Sequence, residues 1–244
     1  MANWTDPRIG ATQPATPAAG RDVAVDAGLR AHMLSVYNYM ASGVLLTGIV
    51  AYAFAWSGMA QQIFFGGGIL AWVIIFSPLI MVFAMSFGAN RMSTGGMQAF
   101  YWAFAVVMGL SMSVIPLIYD GTSIAATFFA TAAAFVSLSL WGYTTKKDLS
   151  AFGTFLIMGV VGLIVAMIAN FFIRSDTMSM VISFIGVLLF AGLTAYDTQK
   201  IKSIYFQVAG SDFLGKAAIL GALTLYLDFI NMFTFLLHLM GSRD

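Results

Sequence analysis

From about residue 33 onward the chain is a succession of long apolar runs separated by short polar breaks. A bilayer core about 30 Å thick needs about 20 apolar residues per α-helix, and runs of that length recur seven times. The predicted spans are residues 34–56, 68–88, 98–118, 123–141, 152–172, 178–199 and 216–240. The pattern therefore predicts an all-α integral membrane protein with seven transmembrane helices. Asp26, just ahead of the first run, is suited to cap that helix. The first long apolar run follows a polar stretch too long for a signal peptide's n-region, so the N-terminus is expected to be kept. Residues 1–25, rich in Ala, Pro, Thr and Gly with scattered charge, lack the apolar surface that would offset ordering. They are expected to be a disordered cytoplasmic tail ahead of a seven-helix transmembrane domain over residues 26–244.

Charge orients this pattern. With the N-terminus inside, Arg8, Arg21, Arg30, Arg91, Lys146, Lys147, Lys200, Lys202 and Lys216 fall on the cytoplasmic side and only Arg174 and Arg243 outside. The positive-inside rule favours that arrangement and puts the C-terminus outside. Composition narrows the chemistry. The 244 residues are 60% hydrophobic and 9% charged, against about 25% charged in soluble domains, so lipid is the solvent for most of the surface. There is no cysteine and no glutamate. Disulfides, thiol nucleophiles, cysteine-type zinc sites and the metalloprotease helix motif are thereby excluded. No enzymatic activity, resident cofactor or nucleic-acid partner is expected. Gly159 with Gly162 and Gly192 with Ala195 are expected to let helices approach closely. Pro78 and Pro116 should bend or break their helices.

Carboxylates at membrane depth cost about 2.5–3.5 kcal/mol each, which makes each a candidate functional residue. Two qualify, Asp197 and Asp228. Asp228 lies about a dozen residues into the last span, too deep to snorkel, on a stripe with Gly221, Thr224, Asn231, Phe235 and His238. The plain alternative is an interhelical hydrogen-bond clamp. Asp197 has Lys200 three residues on, so an ordinary ion pair is the alternative there. The turn signal after the sixth span is Ala209-Gly210-Ser211-Asp212, with Ser211 or Asp212 suited to cap the last helix, so the sixth helix is expected to run to about Phe206. Asp197 then lies at a depth close to that of Asp228 on an antiparallel neighbour. If the two carboxyl groups meet, both cannot stay ionised, and they titrate as a unit. Sharing a proton, they close the seam. Ionised, they separate and offer oxygen ligands of the kind Ca²⁺ takes. Thr194 and Thr224, one turn from each aspartate, are placed to help, and Arg91 at the end of the second span is the candidate counter-charge. Lys146, Lys147 and Asp148 suggest a solvated cluster that could touch anionic lipid. His238 is either a packed interfacial residue or a proton relay.

Several segments carry a family resemblance. They are Gly109-Leu110-Ser111 leading to Pro116, Trp141-Gly142-Tyr143-Thr144-Thr145-Lys146-Lys147-Asp148-Leu149, Ala191-Gly192-Leu193-Thr194-Ala195-Tyr196-Asp197-Thr198-Gln199, and Leu225-Tyr226-Leu227-Asp228-Phe229-Ile230-Asn231-Met232-Phe233. From about Leu29 to the C-terminus the chain resembles the Bax inhibitor-1 family, also called the transmembrane Bax inhibitor motif family, in its prokaryotic YccA-like branch. The resemblance implies six helices around a central C-terminal one. It also implies a pH-sensitive calcium leak governed by two aspartates that match Asp197 and Asp228, with a latching arginine on the second helix that Arg91 approximates in position. A second latch built on a glutamate, present in some members, has no counterpart in this glutamate-free chain. The resemblance further implies residence in the cytoplasmic membrane of a prokaryote. As an alternative function it suggests regulation of a membrane-anchored ATP-dependent protease, with the N-terminal tail as the handle. A retinal protein would need a lysine in mid-membrane on the last helix, where Lys216 stands only at the entrance. An intramembrane aspartyl protease fits poorly with the sequence context of the two aspartates.

Overall fold

The computed structural model describes residues 18–242, and every regular element among them is an α-helix. In chain order these are α1 (Ala18–Trp56), α2 (Met59–Phe65), α3 (Ile69–Gly88), α4 (Thr94–Met112), α5 (Ile115–Ile118), α6 (Gly121–Thr144), α7 (Ser150–Ile173), α8 (Asp176–Val208) and α9 (Leu214–Met240). Among the described residues seven stretches are long and apolar enough to cross a membrane: α1 from Ala27, α3, α4 with α5, α6, α7, α8 and α9. These are the seven spans the apolar runs predict.

The boundaries differ where helix and bilayer lengths part company. α1 starts at Ala18, so Asp26 lies within the helix rather than at its start, and the expected tail ahead of residue 18 falls outside the described residues. α8 runs 33 residues to Val208, past the end of its apolar run and in accord with the extension to about Phe206. α9 begins at Leu214 with Phe213 in the cap position and no side-chain cap. Ser211, expected as that cap, instead braces the turn: its hydroxyl donates to Val208 O at 2.7 Å and accepts from Phe213 N at 3.3 Å.

The two intrahelical prolines are handled differently. Pro78 sits inside α3 and removes the donor that would bond Ile74 O; the Ser77 hydroxyl donates to that carbonyl instead, at 2.9 Å. Pro116 falls in the first turn of α5, where a missing N–H costs little, and the span breaks ahead of it at Ser113 and Val114.

α9 is the most deeply buried span, with 61% of its most apolar stretch inside against 11% for α7. It packs on α8, α1, α6 and α4, whereas α3 packs mainly on α4 and α7 on α8. α8, α1, α6 and α4 are thus the main neighbours of α9 among the described residues. The outward faces of α3 and α7 present Ile80, Phe83, Phe87, Phe155, Val165 and Phe171 to the surroundings, a surface suited to hydrocarbon. Inside, the Thr47 hydroxyl donates to Ala105 O at 2.9 Å and lies 2.7 Å from the Tyr226 hydroxyl, so one threonine joins α1, α4 and α9. Of the small residues expected at helix contacts, Gly192 and Gly159 sit against Leu156 and Leu189 side chains, while Gly162 faces open space. The closest backbone approach is at Gly142 of α6, where an added Cβ would meet the Ala195 carbonyl of α8.

Candidate functional site: a carboxyl pair between α8 and α9

Asp197 lies 11 residues before the end of α8 at Val208, and Asp228 lies 14 residues after the start of α9 at Leu214. At 1.5 Å per residue both stand roughly 16–21 Å from the turn that joins the two antiparallel helices. Asp197 is 8% exposed and Asp228 4%. Their carboxyl groups come within hydrogen-bonding reach of each other. Oδ2 of Asp228 is fully buried and has no hydrogen-bond partner. Two carboxylates this close in a buried site are stable only if a proton or a cation offsets their repulsion.

The flanking residues behave differently from the expectations for them. Lys200 is near enough to Asp197 to act on its charge but closes no direct ion pair with it; its ammonium lies 5.8 Å from the centroid of the Tyr196 ring. Arg91 is exposed in the turn after α3 and forms neither a hydrogen bond nor an ion pair with either aspartate. A guanidinium at a helix end is solvated where it stands, so nothing draws it inward. Lys216 is the cation that reaches α3, donating to Ala89 O at 3.2 Å. Thr194, Thr224 and Asn231 turn their donors back on their own helices, to Phe190 O, Leu220 O and Leu227 O at 2.8, 3.1 and 2.8 Å. The two hydroxyls then keep acceptor capacity only, while the Asn231 amide retains a second N–H. His238 lies 3.4 Å from the Tyr119 hydroxyl at the far end of α9.

A second polar feature adjoins the pair. The hydroxyls of Tyr37 on α1, Ser139 on α6 and Thr198 on α8 form a chain, with steps of 2.7 and 2.8 Å, and Thr198 donates onward to Thr194 O at 2.7 Å. Three helices are thereby pinned beside Asp197. Sequence reasoning missed this chain because serine, threonine and tyrosine are common within spans, and nothing in their spacing says which of them face one another. Gln199 holds the 145–149 loop in the same neighbourhood: its amide accepts from Leu149 N at 2.9 Å and donates to Lys147 O at 2.8 Å. Of the predicted basic cluster, Asp148 accepts from Ser150 N at 2.9 Å, and that bonding to Ser150 holds its carboxyl below the usual carboxylate value.

Among the described residues no three or more His, Cys, Asp or Glu side chains gather into a metal site. Two carboxylates by themselves fall short of the six to eight oxygen ligands that Ca²⁺ takes.

Fold and site together define a polytopic helical membrane protein with a carboxyl pair buried between its two most buried spans. Comparison with known proteins gives this class its family: residues 29–244 match the family model described as inhibitor of apoptosis-promoting Bax1. The chain belongs to that family, the Bax inhibitor family. It is 44% identical over 219 residues to an uncharacterized protein of Rickettsia prowazekii, covering 89% of this chain and 92% of that one. An uncharacterized protein of Caulobacter vibrioides is 44% identical over 236 residues, 93% and 94% of the two chains. The inner membrane protein YbhL of Escherichia coli is 41% identical over 219 residues, 89% and 94% of the two chains.

Proposed function

We propose that this protein is a pH-sensitive leak channel or slow transporter for Ca²⁺ in the cytoplasmic membrane of a prokaryote, with its N-terminus inside and its C-terminus outside. The observation that carries the reading is the buried Asp197 and Asp228 pair, with one Asp228 oxygen lacking a donor. With a proton between them, the carboxyl groups bind each other and hold α8 against α9. When that proton leaves, the two charges repel, the helices are pushed apart, and the same oxygens face a divalent cation. Acid therefore closes the path and alkali opens it. The inner-membrane placement is supported by the name of the Escherichia coli relative, and the orientation by the charge distribution among the loops.

The test is Ca²⁺ entry into dye-loaded liposomes carrying the purified protein, from about pH 5 to about pH 8. Asp228→Asn, which mimics permanent protonation, should weaken transport and flatten its pH dependence. Asp197→Ala removes the partner and should leave the path unregulated. Equal, pH-dependent flux in all three proteins, or no flux above empty liposomes, overturns the proposal. In the latter case the interaction role, regulation of a membrane-anchored protease, becomes the reading to pursue.

A further inference from the structure

α8 and α9 run antiparallel, so residues displaced equally from the aspartates in opposite chain directions share a depth. Phe190 precedes Asp197 by seven residues and Phe235 follows Asp228 by seven, about 10 Å along each helix axis. Their rings meet there in a stack, with centroids 5.9 Å apart and planes 24° from parallel. The stack is seated on Gly186, where an added Cβ would stand 2.6 Å from Cδ2 of Phe235. On the side away from the aspartates, Phe235 forms part of the wall of a cavity of about 350 Å³ between α5, α7, α8 and α9. Asn170, Ser179, Ser183 and Thr234 put polar side chains in its otherwise apolar wall; the Ser183 and Thr234 hydroxyls donate to Ser179 O and Ile230 O and so keep acceptor capacity. On the aspartate side, one turn along α8 from Phe190, stands Thr194, which is fully buried.

We infer that the Phe190 and Phe235 rings form the gate of the cation path, closing a hydroxyl-lined vestibule off from the Asp197 and Asp228 pair. The inference rests on the permeation reading and adds the entry route to it. Hydroxyl and amide oxygens in the vestibule replace part of the hydration shell of a divalent cation. Two stacked aromatic rings offer no ligand and exclude water, which is how an apolar constriction blocks an ion. Gly186 leaves the ring of Phe235 its place in the closed state, and parting of α8 from α9 at the aspartates would separate the two rings as well.

The absence of cysteine from the chain makes the barrier directly measurable. Single cysteines are placed on the vestibule side (Thr234→Cys) and between gate and aspartates (Thr194→Cys), and their reaction with a membrane-impermeant thiol reagent is followed in nanodiscs. Thr234→Cys should react readily and Thr194→Cys slowly. Combining Thr194→Cys with Phe235→Ala should raise its labelling rate several-fold, and Phe235→Leu, which keeps most of the bulk, should restore protection. In liposomes, Phe235→Ala alone should raise Ca²⁺ flux several-fold over wild type. Rapid labelling of Thr194→Cys with Phe235 in place overturns the gate, as does continued protection in the Phe235→Ala background. Labelling as expected, with no flux in either wild type or Phe235→Ala, shows a barrier that guards no ion path and overturns the permeation reading. Flux in wild type that Phe235→Ala leaves unchanged overturns the gate alone.

Discussion

The contact between Gly142 and Ala195 sets how closely α6 and α8 approach, and Gly142→Ala tests it. The new Cβ would press on the Ala195 carbonyl oxygen and stand 2.9 Å from both Cα and C of the same residue. All three are backbone atoms, so no side chain can swing aside, and the helices must part by roughly 1 Å to restore van der Waals spacing. Overpacking of this kind costs about 1–3 kcal/mol. The Ser139 to Thr198 hydroxyl bond spans the same interface at 2.8 Å, and the Lys202 ammonium donates to Tyr143 O at 3.0 Å. A 1 Å separation stretches both beyond hydrogen-bonding range, with a further loss averaging about 0.6 kcal/mol each within a membrane. The expected total is roughly 2–4 kcal/mol. Equilibrium unfolding in bicelles, by steric trapping or denaturant titration, measures it. Gly162→Ala is the control, since a Cβ there meets nothing within 4 Å and the change should stay within about 0.5 kcal/mol. A Gly142→Ala protein as stable as its Gly162→Ala counterpart would refute backbone contact between α6 and α8.

Further outcomes follow from individual bonds. Asp120 caps α6, accepting from the Thr122 hydroxyl and from the Thr122 and Ser123 amides, and this bonding, led by the Thr122 hydroxyl, holds its carboxyl below its ordinary value of 3.8. A lowered folded-state value means that the cap's contribution is fully present above 3.8 and is lost as pH falls through the lower value. Amide exchange at Thr122 and Ser123, corrected for intrinsic rate, should therefore stay protected down to about pH 4, and loss of protection by about pH 5 would contradict the cap. Ser77→Ala removes the donor that replaces the missing Pro78 N–H and leaves Ile74 O unpaired, a loss of about 1–3 kcal/mol by the same unfolding assay. No measurable loss would mean that the carbonyl finds another donor. Gln199→Ala releases both bonds to the 145–149 loop, so trypsin should cleave after Lys146 or Lys147 faster than in wild type. An unchanged cleavage rate would show that the loop is held by other contacts.

The spans were legible because the bilayer fixes their length and leaves only helices as a way to satisfy every peptide group. What the apolar runs could not show is which helix packs on which, since a side chain facing lipid and one facing protein are equally apolar. Gly162 and Gly159 look alike in sequence, yet one faces open space and the other a leucine. Asp26 was misread because a helix need not stop where the membrane does: α1 continues into a polar stretch that the bilayer does not constrain. The carboxyl pair was legible from its cost, which depends on depth alone and can be counted along the chain. Arg91 was not, because an arginine at a helix end reaches solvent at no cost and its sequence position says nothing about the direction it takes. Thr194 and Thr224 were placed one turn from the aspartates, but a helix always offers a threonine its own carbonyl four residues back, and in this bundle that local partner prevails.

The energetics of the pair argue against a purely structural role. Two aspartates at membrane depth cost roughly 5–7 kcal/mol together on the insertion scale. An interhelical hydrogen bond returns about 0.6 kcal/mol on average. The carboxyl groups sit at the interface of the two most buried spans, α8 and α9, where apolar side chains of similar volume would pack without that penalty. Asp228 also carries an oxygen with no donor, an additional cost that a structural clamp would be expected to avoid by recruiting one of the nearby threonine hydroxyls. Those hydroxyls are instead committed to Phe190 O and Leu220 O, so neither supplies the pair with a donor. Against a net stability of the order of 5–15 kcal/mol such an arrangement is costly, and on the proposed reading the missing donor is what lets an arriving proton or ion change how α8 sits on α9.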